Sequence, residues 1–388
     1  MVEILFWIGV AIVFYTFIGY GIFLYILLKF KNNKEGMMHL FSDTYHPEVT
    51  LVIPCFNESD ILDEKIQNCL DLIYAPELLE IIFITDGSTD NFREVIGRYP
   101  RVKLLHDDAR KGKTAAENRA MTFVKSPIVI FSDANTMLNK EAVKNIVRHF
   151  ENEKVGCVSG EKKVLTEERD GASSAGEGLY WKYESFLKKM DSDFHSAVGA
   201  AGELVAFRCS EYEDLPEDTI LDDFMQSLLI ASKGFKIVYE PEAYALEKGS
   251  ASIKEEYKRK KRISSGGWQS VQRLWDKITL SKDPKLYFQY ISHRVLRWTV
   301  TPFLLILLFI LNIFLLDSGL FYQLFMLGQV VFYLMALIGW YYENKQIKVK
   351  LFFVPFYFTF MNYSAITGFL LYMKGNQSGV WEKAARKA

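Results

Sequence analysis

Residues Ile4 to Leu28 include no charged side chain. As an α-helix rising about 1.5 Å per residue, that run outlasts the ~30 Å hydrocarbon layer of a bilayer and predicts an anchor that crosses with some tilt. A cleaved signal peptide would need a basic n-region and a shorter apolar run; Met1-Val2-Glu3 supplies no basic residue. Lys29, Lys31 and Lys34 follow directly, and positive charge beside a span marks the cytoplasmic side, so the next domain is expected in the cytosol. Three more apolar stretches run from Thr299 to Leu316, Leu320 to Tyr341 and Leu351 to Tyr372. Arg294 and Arg297 place the start of the first inside, and Lys345, Lys348 and Lys350 place the end of the second inside, so these two predict a hairpin. The last stretch is interrupted by Pro355, Asn362, Ser364, Thr367 and Gly368, and a single crossing would leave Lys383, Arg386 and Lys387 outside. It is compatible with one crossing and with a broken or re-entrant path.

A charged region lies between these ends, giving five expected segments: an anchor at 1–30, a cytosolic domain at 46–250, basic amphipathic interface helices at 251–295, a membrane region at 296–375 and a tail at 376–388. The formal net charge of −1 gives no global cationic footprint, which argues against nucleic acid as a partner. Cys55, Cys69, Cys157 and Cys209 form no C-x-x-C pair and are expected as buried thiols. The six histidines form no H-E-x-x-H pattern, so a zinc hydrolase has little support.

From Glu48 to Glu247, short β-branched runs alternate with amphipathic stretches, the pattern of an α/β fold with a mostly parallel sheet and covering helices. Val49 to Pro54, Glu80 to Thr85, Val102 to His106 and Ile128 to Ser132 predict strands; Asp60 to Leu72, Lys113 to Val124 and Lys140 to Phe150 predict the helices between them. Ligands of such sheets sit beyond the carboxyl ends of the strands, at a change in strand order. Cys55-Phe56-Asn57-Glu58 and Asp86-Gly87-Ser88-Thr89-Asp90 lie there, where a base and ribose could be held, although the second also reads as a turn with Thr89 or Asp90 capping a helix. Lys111-Gly112-Lys113 puts two cations before a helix start and suits a diphosphate, or a solvated basic loop. Asp133 and Asn135, two residues apart, offer hard oxygen ligands for Mg2+ or Mn2+, or cap a turn. Their conjunction at consecutive strand ends would open all four loops on one edge.

Gly199-Ala200-Ala201-Gly202-Glu203 would let a sugar approach the backbone before a strand from Leu204 to Arg208. Asp222 and Asp223 open a helix, where acids favour the dipole; facing a cleft, one could take a proton from an attacking hydroxyl. The basic run Lys254, Lys258, Arg259, Lys260, Lys261 and Arg262, with Tyr257 and Trp268, suits an anionic membrane surface or a solvated face. No G-x-G-x-x-G follows the first strand, which disfavours a dinucleotide dehydrogenase.

Together these residues resemble the membrane-bound family 2 glycosyltransferases, the group of cellulose, hyaluronan and poly-N-acetylglucosamine synthases, from about Val49 to Trp268 and more loosely to the C-terminus. The resemblance implies a GT-A-type nucleotide-sugar-binding domain with transmembrane helices at both ends. It gives nucleotide contacts to Pro54, Asn57, Glu58, Asp86 and Lys113, with Lys111 beside them, and metal and diphosphate contacts to Asp133, with Asn135 standing where the family's D-x-D motif has its second acid. Leu221-Asp222-Asp223 resembles the T-E-D motif, so Asp223 inherits the general base and Asp222 is the alternative. Arg259 to Ile263 is the nearest match to Q-x-x-R-W: Arg262 keeps the arginine for the diphosphate, with Arg259 nearby, while Trp268 would substitute for the acceptor-stacking tryptophan. Gly202 and Glu203 fall to the acceptor side, and Gly379 to Arg386, with Trp381, resembles a gating segment, which would make the tail cytosolic. The implied reaction is inverting transfer from a nucleotide sugar, UDP-linked by resemblance, to a growing polysaccharide or glycan. Single-sugar transfer to a lipid-linked acceptor is the alternative, and a non-catalytic transport or scaffold component is the reading from another class. Four apolar stretches offer little material for a pore, so polymer export would call for a partner or a homo-oligomer.

Overall fold

The computed structural model describes residues 1–31, 44–165, 172–249, 252–345, 347, 349–375 and 379, with the side chains of 172–180 and 350 left aside. The chain enters through α1 (Val2–Phe14) and α2 (Tyr20–Phe30), joined without a break by a π-helical turn at Tyr15–Gly19. The sheet domain then runs β1 (Val49–Cys55), α3 (Ser59–Leu70), β2 (Leu79–Asp86), α4 (Phe92–Gly97), β3 (Val102–Asp107), α5 (Lys113–Met121), β4 (Ile128–Phe131), β5 (Thr136–Leu138), α6 (Ala142–Val147) and β6 (Val155–Leu165). It closes through α7 (Ala172–Phe194), β7 (Val205–Arg208), α8 (Asp222–Ser232) and β8 (Lys236–Lys248).

All eight strands form one sheet in the order β3-β2-β1-β4-β7-β6-β8-β5. β3, β2, β1 and β4 run parallel, with Val49 opposite Leu79 on one side and Ile128 on the other, so their carboxyl ends share an edge. Strand order reverses between β1 and β4, the place where such sheets leave a crevice. β1 is buried along its whole length, as a central parallel strand requires. Its alternation decides the layers: Val49, Leu51, Ile53 and Cys55 join the core under α3, α4 and α6, whereas Val52 faces the core under α5 and α8. Each such aliphatic side chain contributes about 1.5–3 kcal/mol on burial. Cys55, Cys69 and Cys157 are buried free thiols and Cys209 is half-buried.

Beyond the sheet, α9 (Ile253–Thr279) carries the basic run, and α10 (Pro284–Tyr290) continues through a π-helical segment, Ile291–Val300, into α11 (Thr301–Ile313). α12 (Leu320–Asn344) returns from a short turn, and α13 (Lys350–Met373) ends the described helices. Among the described residues, three helical stretches are long and apolar enough to cross a membrane: Val2–Phe30, Pro284–Ile313 and Leu320–Asn344. The second begins well before the Thr299 expected from hydropathy. Its helix starts at Pro284 with the Asp283 carboxylate accepting from the amides of Lys285 and Leu286, and Glu184 neutralises its arginines, at 2.6 Å from Arg294 and 3.0 Å from Arg297. Tyr20 and Leu24 of the anchor pack on Leu187 and Met190 of α7, while Phe6 packs on Leu308, Leu311 and Tyr322.

Candidate active site

Lys113, in the first turn of α5, stands at the centre of a ring of acids. Its Nζ lies 2.8 Å from Asp133 Oδ1, 3.5 Å from Asp222 Oδ2 and 3.7 Å from Glu117 Oε1. Burial works against its charge, but Asp133, Asp222 and Glu117 outweigh that cost and hold its pKa well above the ordinary lysine value. The four residues come from a helix start, a strand end and the first turn of α8, which the parallel strands bring to one edge.

The adjacent acids of α8 differ in state. Burial would raise Asp222, yet Lys113 and a hydrogen bond from Glu117 pull it below the usual carboxylate value. Glu117, raised well above its usual value by burial and by the Asp222 charge, holds the proton between them. Asp223 is pushed up to about 7, first by burial and then by the neighbouring Asp222 charge. Gly202 explains how the backbone fits beside these groups. A Cβ placed there would lie 3.2 Å from Lys113 Nζ and 3.3 Å from Asp223 Oδ2, tighter than ordinary contact.

Asp86 is 1% exposed, and its carboxylate accepts from the amides of Lys111 at 3.0 Å and Gly112 at 2.7 Å. It therefore sets the path of the Lys111-Gly112-Lys113 loop, and the Lys111 ammonium itself lies 3.9 Å from Asp107. Pro54 is buried in β1 opposite Ile84. Asn57, in a left-handed turn with φ of 52°, accepts from the Thr89 amide at 2.9 Å, tying the loops after β1 and β2 together, and Glu58 stands at the start of α3. Asp90 does not cap the helix that follows it, which has Asn91 at its N-cap and no side-chain cap bond; it accepts instead from the Ser59 amide at the start of α3, at 2.7 Å. Arg110 lies 3.7 Å over the Phe56 ring, beside the same loops. Asn135 directs its amide nitrogen toward Glu247 Oε1 at 3.4 Å.

On the far side of Asp223 a cavity of about 400 Å³ runs toward the apolar helices. Asp223, Glu203 and Arg259 line its domain end; Phe17, Tyr357 and Met361 line the other. Lys162 pairs with Glu203 and Glu247. Burial alone would raise Glu203, but Lys162 and then Arg259 hold it well below its usual value. Arg259 itself contacts Glu256 at 3.2 Å and Glu247 at 3.8 Å. Arg262 makes no hydrogen bond or ion pair with a described residue, although Asp222, Asp133 and Asp223 all act on its charge.

Trp268 does not line this cavity. Its ring packs 4.6 Å from Phe369 and 6.4 Å from Phe303, whereas Trp181 and Trp298 line the cavity. Trp381 lies outside the described residues. The sequence offered a signal for the residues passed over: Trp181, Glu184, Lys188 and Asp191 recur at helical spacing on α7, putting charge on the face that the periodicity buries. Glu117, four residues after Lys113, was legible the same way.

A parallel half-sheet with a cationic loop and clustered acids at its carboxyl edge defines an α/β nucleotide-ligand domain on a membrane support. Residues 50–215 match the family model Glycosyl transferase family 2. Among curated proteins it is similar to the poly-beta-1,6-N-acetyl-D-glucosamine synthases of Staphylococcus aureus, 27% identical over 252 residues, and Staphylococcus epidermidis, 24% identical over 273 residues. The first match covers 62% of this chain and the second 68%; the chain spans only 59% and 65% of those relatives' lengths. The fold is that of the mannosyltransferase PcManGT of Pyrobaculum calidifontis, solved in complex with GDP-Man and Mn2+, with a TM-score of 0.71 at 20% identity over 96% of this chain and 100% of that one.

Proposed function

We propose that the protein is a multi-pass membrane glycosyltransferase that moves a sugar, with inversion, from a nucleotide sugar onto a glycan hydroxyl, its catalytic domain facing the cytosol. The observation that carries this is Asp223: a half-buried carboxylate beside the lysine and acids of the nucleotide edge, and equally a wall of the membrane-side cavity. A base between donor and acceptor compartments is what direct displacement requires. Asp223 takes the proton of the acceptor hydroxyl; Lys113 and the unpaired Arg262 meet the charge that develops on the departing diphosphate. Asp222, already engaged by Lys113 and Glu117, keeps Asp223 raised and does not itself abstract the proton.

Among the described residues no three His, Cys, Asp or Glu side chains cluster as a complete metal site. Asp133 and Asn135 nevertheless suit Mg2+ or Mn2+, which commonly takes one or two protein oxygens and completes its shell with phosphate and water. Bound there, the cation would neutralise charge on the donor diphosphate. The relatives named as synthases favour polysaccharide assembly, and the UDP carrier rests on resemblance alone. A cavity that ends among apolar helices favours the second reading, a lipid-linked acceptor.

The test is incubation of the purified full chain with a panel of nucleotide sugars and Mg2+ or Mn2+, in the presence of glycan and lipid acceptors, with nucleotide release and product size measured. Release with one donor and growth of one acceptor is expected; no release with any donor overturns the proposal.

A further inference from the structure

The loop after β4 presents two hard oxygens that no described residue engages. Asp133 gives only its Oδ1 to Lys113, at 2.8 Å, and Asn135 makes a single bond, from Nδ2 to Glu247 Oε1 at 3.4 Å. Asp133 Oδ2 and Asn135 Oδ1 are thereby left for a ligand, and they suit a cation that takes one or two protein oxygens. Which atom of the Asn135 amide is left follows from Glu247. A carboxylate only accepts, so Nδ2 has to face it and Oδ1 has to turn away. A bond as long as 3.4 Å adds little energy by itself; its effect is to decide the direction of the amide.

Glu247 is well placed to hold that direction. It lies opposite Thr136 in the antiparallel pairing of β5 with β8, so the backbone register sets it next to Asn135. It is 2% exposed, Lys162 pairs with it, and Arg259 Nη1 stands 3.8 Å away, so its carboxylate is fixed in place and kept charged. The charge also reaches Asp133: burial raises that carboxyl, Lys113 opposes the rise, and Glu203 and Glu247 add to it. We infer that Glu247 is a positioning residue for the cation: it leaves Asn135 Oδ1 as an oxygen ligand and supplies from β8 the negative charge that an acid at position 135 would bring. Partners behind the ligands orient them and tune the metal in this way. The inference rests on the transferase reading for what the cation does, whereas cation binding is measured without turnover.

Mn2+ binding to the purified full chain, alone and with UDP or GDP, is measured at one pH near neutrality from the loss of the free-ion electron paramagnetic resonance signal. Asp133→Asn should abolish binding, which marks the site. Glu247→Gln should weaken Mn2+ by at least about tenfold, the usual cost of removing a partner that orients a ligand. Asn135→Ala, which leaves the contacts of Glu247 with Lys162 and Arg259 in place, should lose as much and decides the matter if Glu247→Gln unfolds. Rescue separates orientation and charge from a general role in folding. Asn135→Asp should bring Glu247→Gln back to within about threefold of the wild type, yet gain nothing comparable with Glu247 intact, where two like charges would meet. Mn2+ binding that survives Asp133→Asn, undiminished affinity in Glu247→Gln or Asn135→Ala, no rescue in the folded double variant, or an equal gain from Asn135→Asp in both backgrounds overturns the inference. No Mn2+ bound by the wild type overturns it together with the metal site proposed above. Glu247-dependent binding without turnover of any donor would sink the transferase assignment instead and leave the inference standing.

Discussion

Asp222 and Asp223 stand side by side in the sequence, and nothing local separates them; their partners do. Lys113 and Glu117 reach Asp222 from α5, and burial then leaves Asp223 to carry the shift to about 7. Transfer should therefore fall about tenfold per pH unit below about pH 7, as the base takes its proton before the acceptor arrives. The sign for stability is opposite to that of an ion-paired acid. Between the ordinary aspartate pKa of 3.8 and about 7 the folded chain holds a proton that the unfolded chain releases, so stability declines as pH rises through that window. Asp223→Asn should abolish turnover with donor binding retained and raise Tm at pH 8 by roughly 2–4 °C. A pH–rate profile with thermal unfolding at pH 5 and pH 8 checks both, and a variant that keeps turnover would point to a domain that only binds. The acids and lysines of the edge were legible because their positions follow from strand ends. The partners of Asp86 were not, because loop amides 25 and 26 residues away claim its carboxylate, and no local pattern announces such a bond.

At the scale of elements, the four parallel strands lay within a residue or two of the expected runs; β1 and β4, buried along their whole length, must be apolar throughout, whereas the edge strand β3 is only half-buried. Strands β6 and β8 pair over long registers interrupted by two irregularities and carry many charges, so their periodicity is hidden. Helix α9 shows a different kind of fit. A Cβ at Gly266 would lie 2.7 Å from the Ile220 side chain and 2.8 Å from that of Leu221, the residues directly before the acid pair. Alanine there would gain about 1 kcal/mol in helix propensity but meet an overpacking cost of about 1–3 kcal/mol. The second effect acts on the loop that aims Asp223, so Gly266→Ala should leave Tm within a few degrees while lowering kcat at least about tenfold. Steady-state kinetics with one donor and one acceptor separates this from a loss of folding, which would lower active enzyme without changing kcat per folded molecule.

For the whole molecule, hydropathy showed where the chain meets the bilayer but could not say whether the last apolar stretch crosses it. The position of its far end argues that it does not. α13 packs on α12, with Phe352 stacked 5.9 Å from Tyr342, and on α9, with Tyr363 stacked 5.8 Å from Tyr257 and Phe369 against Trp268. Gly379, just beyond it, lies against Glu217 and Asp218, next to the loop that leads to Asp222. Helix α12, by contrast, is about 37 Å long by its 25 residues, enough for the hydrocarbon layer. A chain with three crossings would place residue 374 on the face of the sheet domain and residue 317, in the turn between α11 and α12, on the other. In a Cys209→Ser background, where the remaining thiols are buried, single cysteines at Arg101, Asp317 and Lys374 report this through a membrane-impermeant maleimide on sealed, oriented vesicles. Arg101→Cys and Lys374→Cys should label from one side and Asp317→Cys only from the other. Labelling of Lys374→Cys together with Asp317→Cys would mean that α13 crosses, and the apolar end of the cavity would then open to lipid along a full span instead of lying beneath the domain.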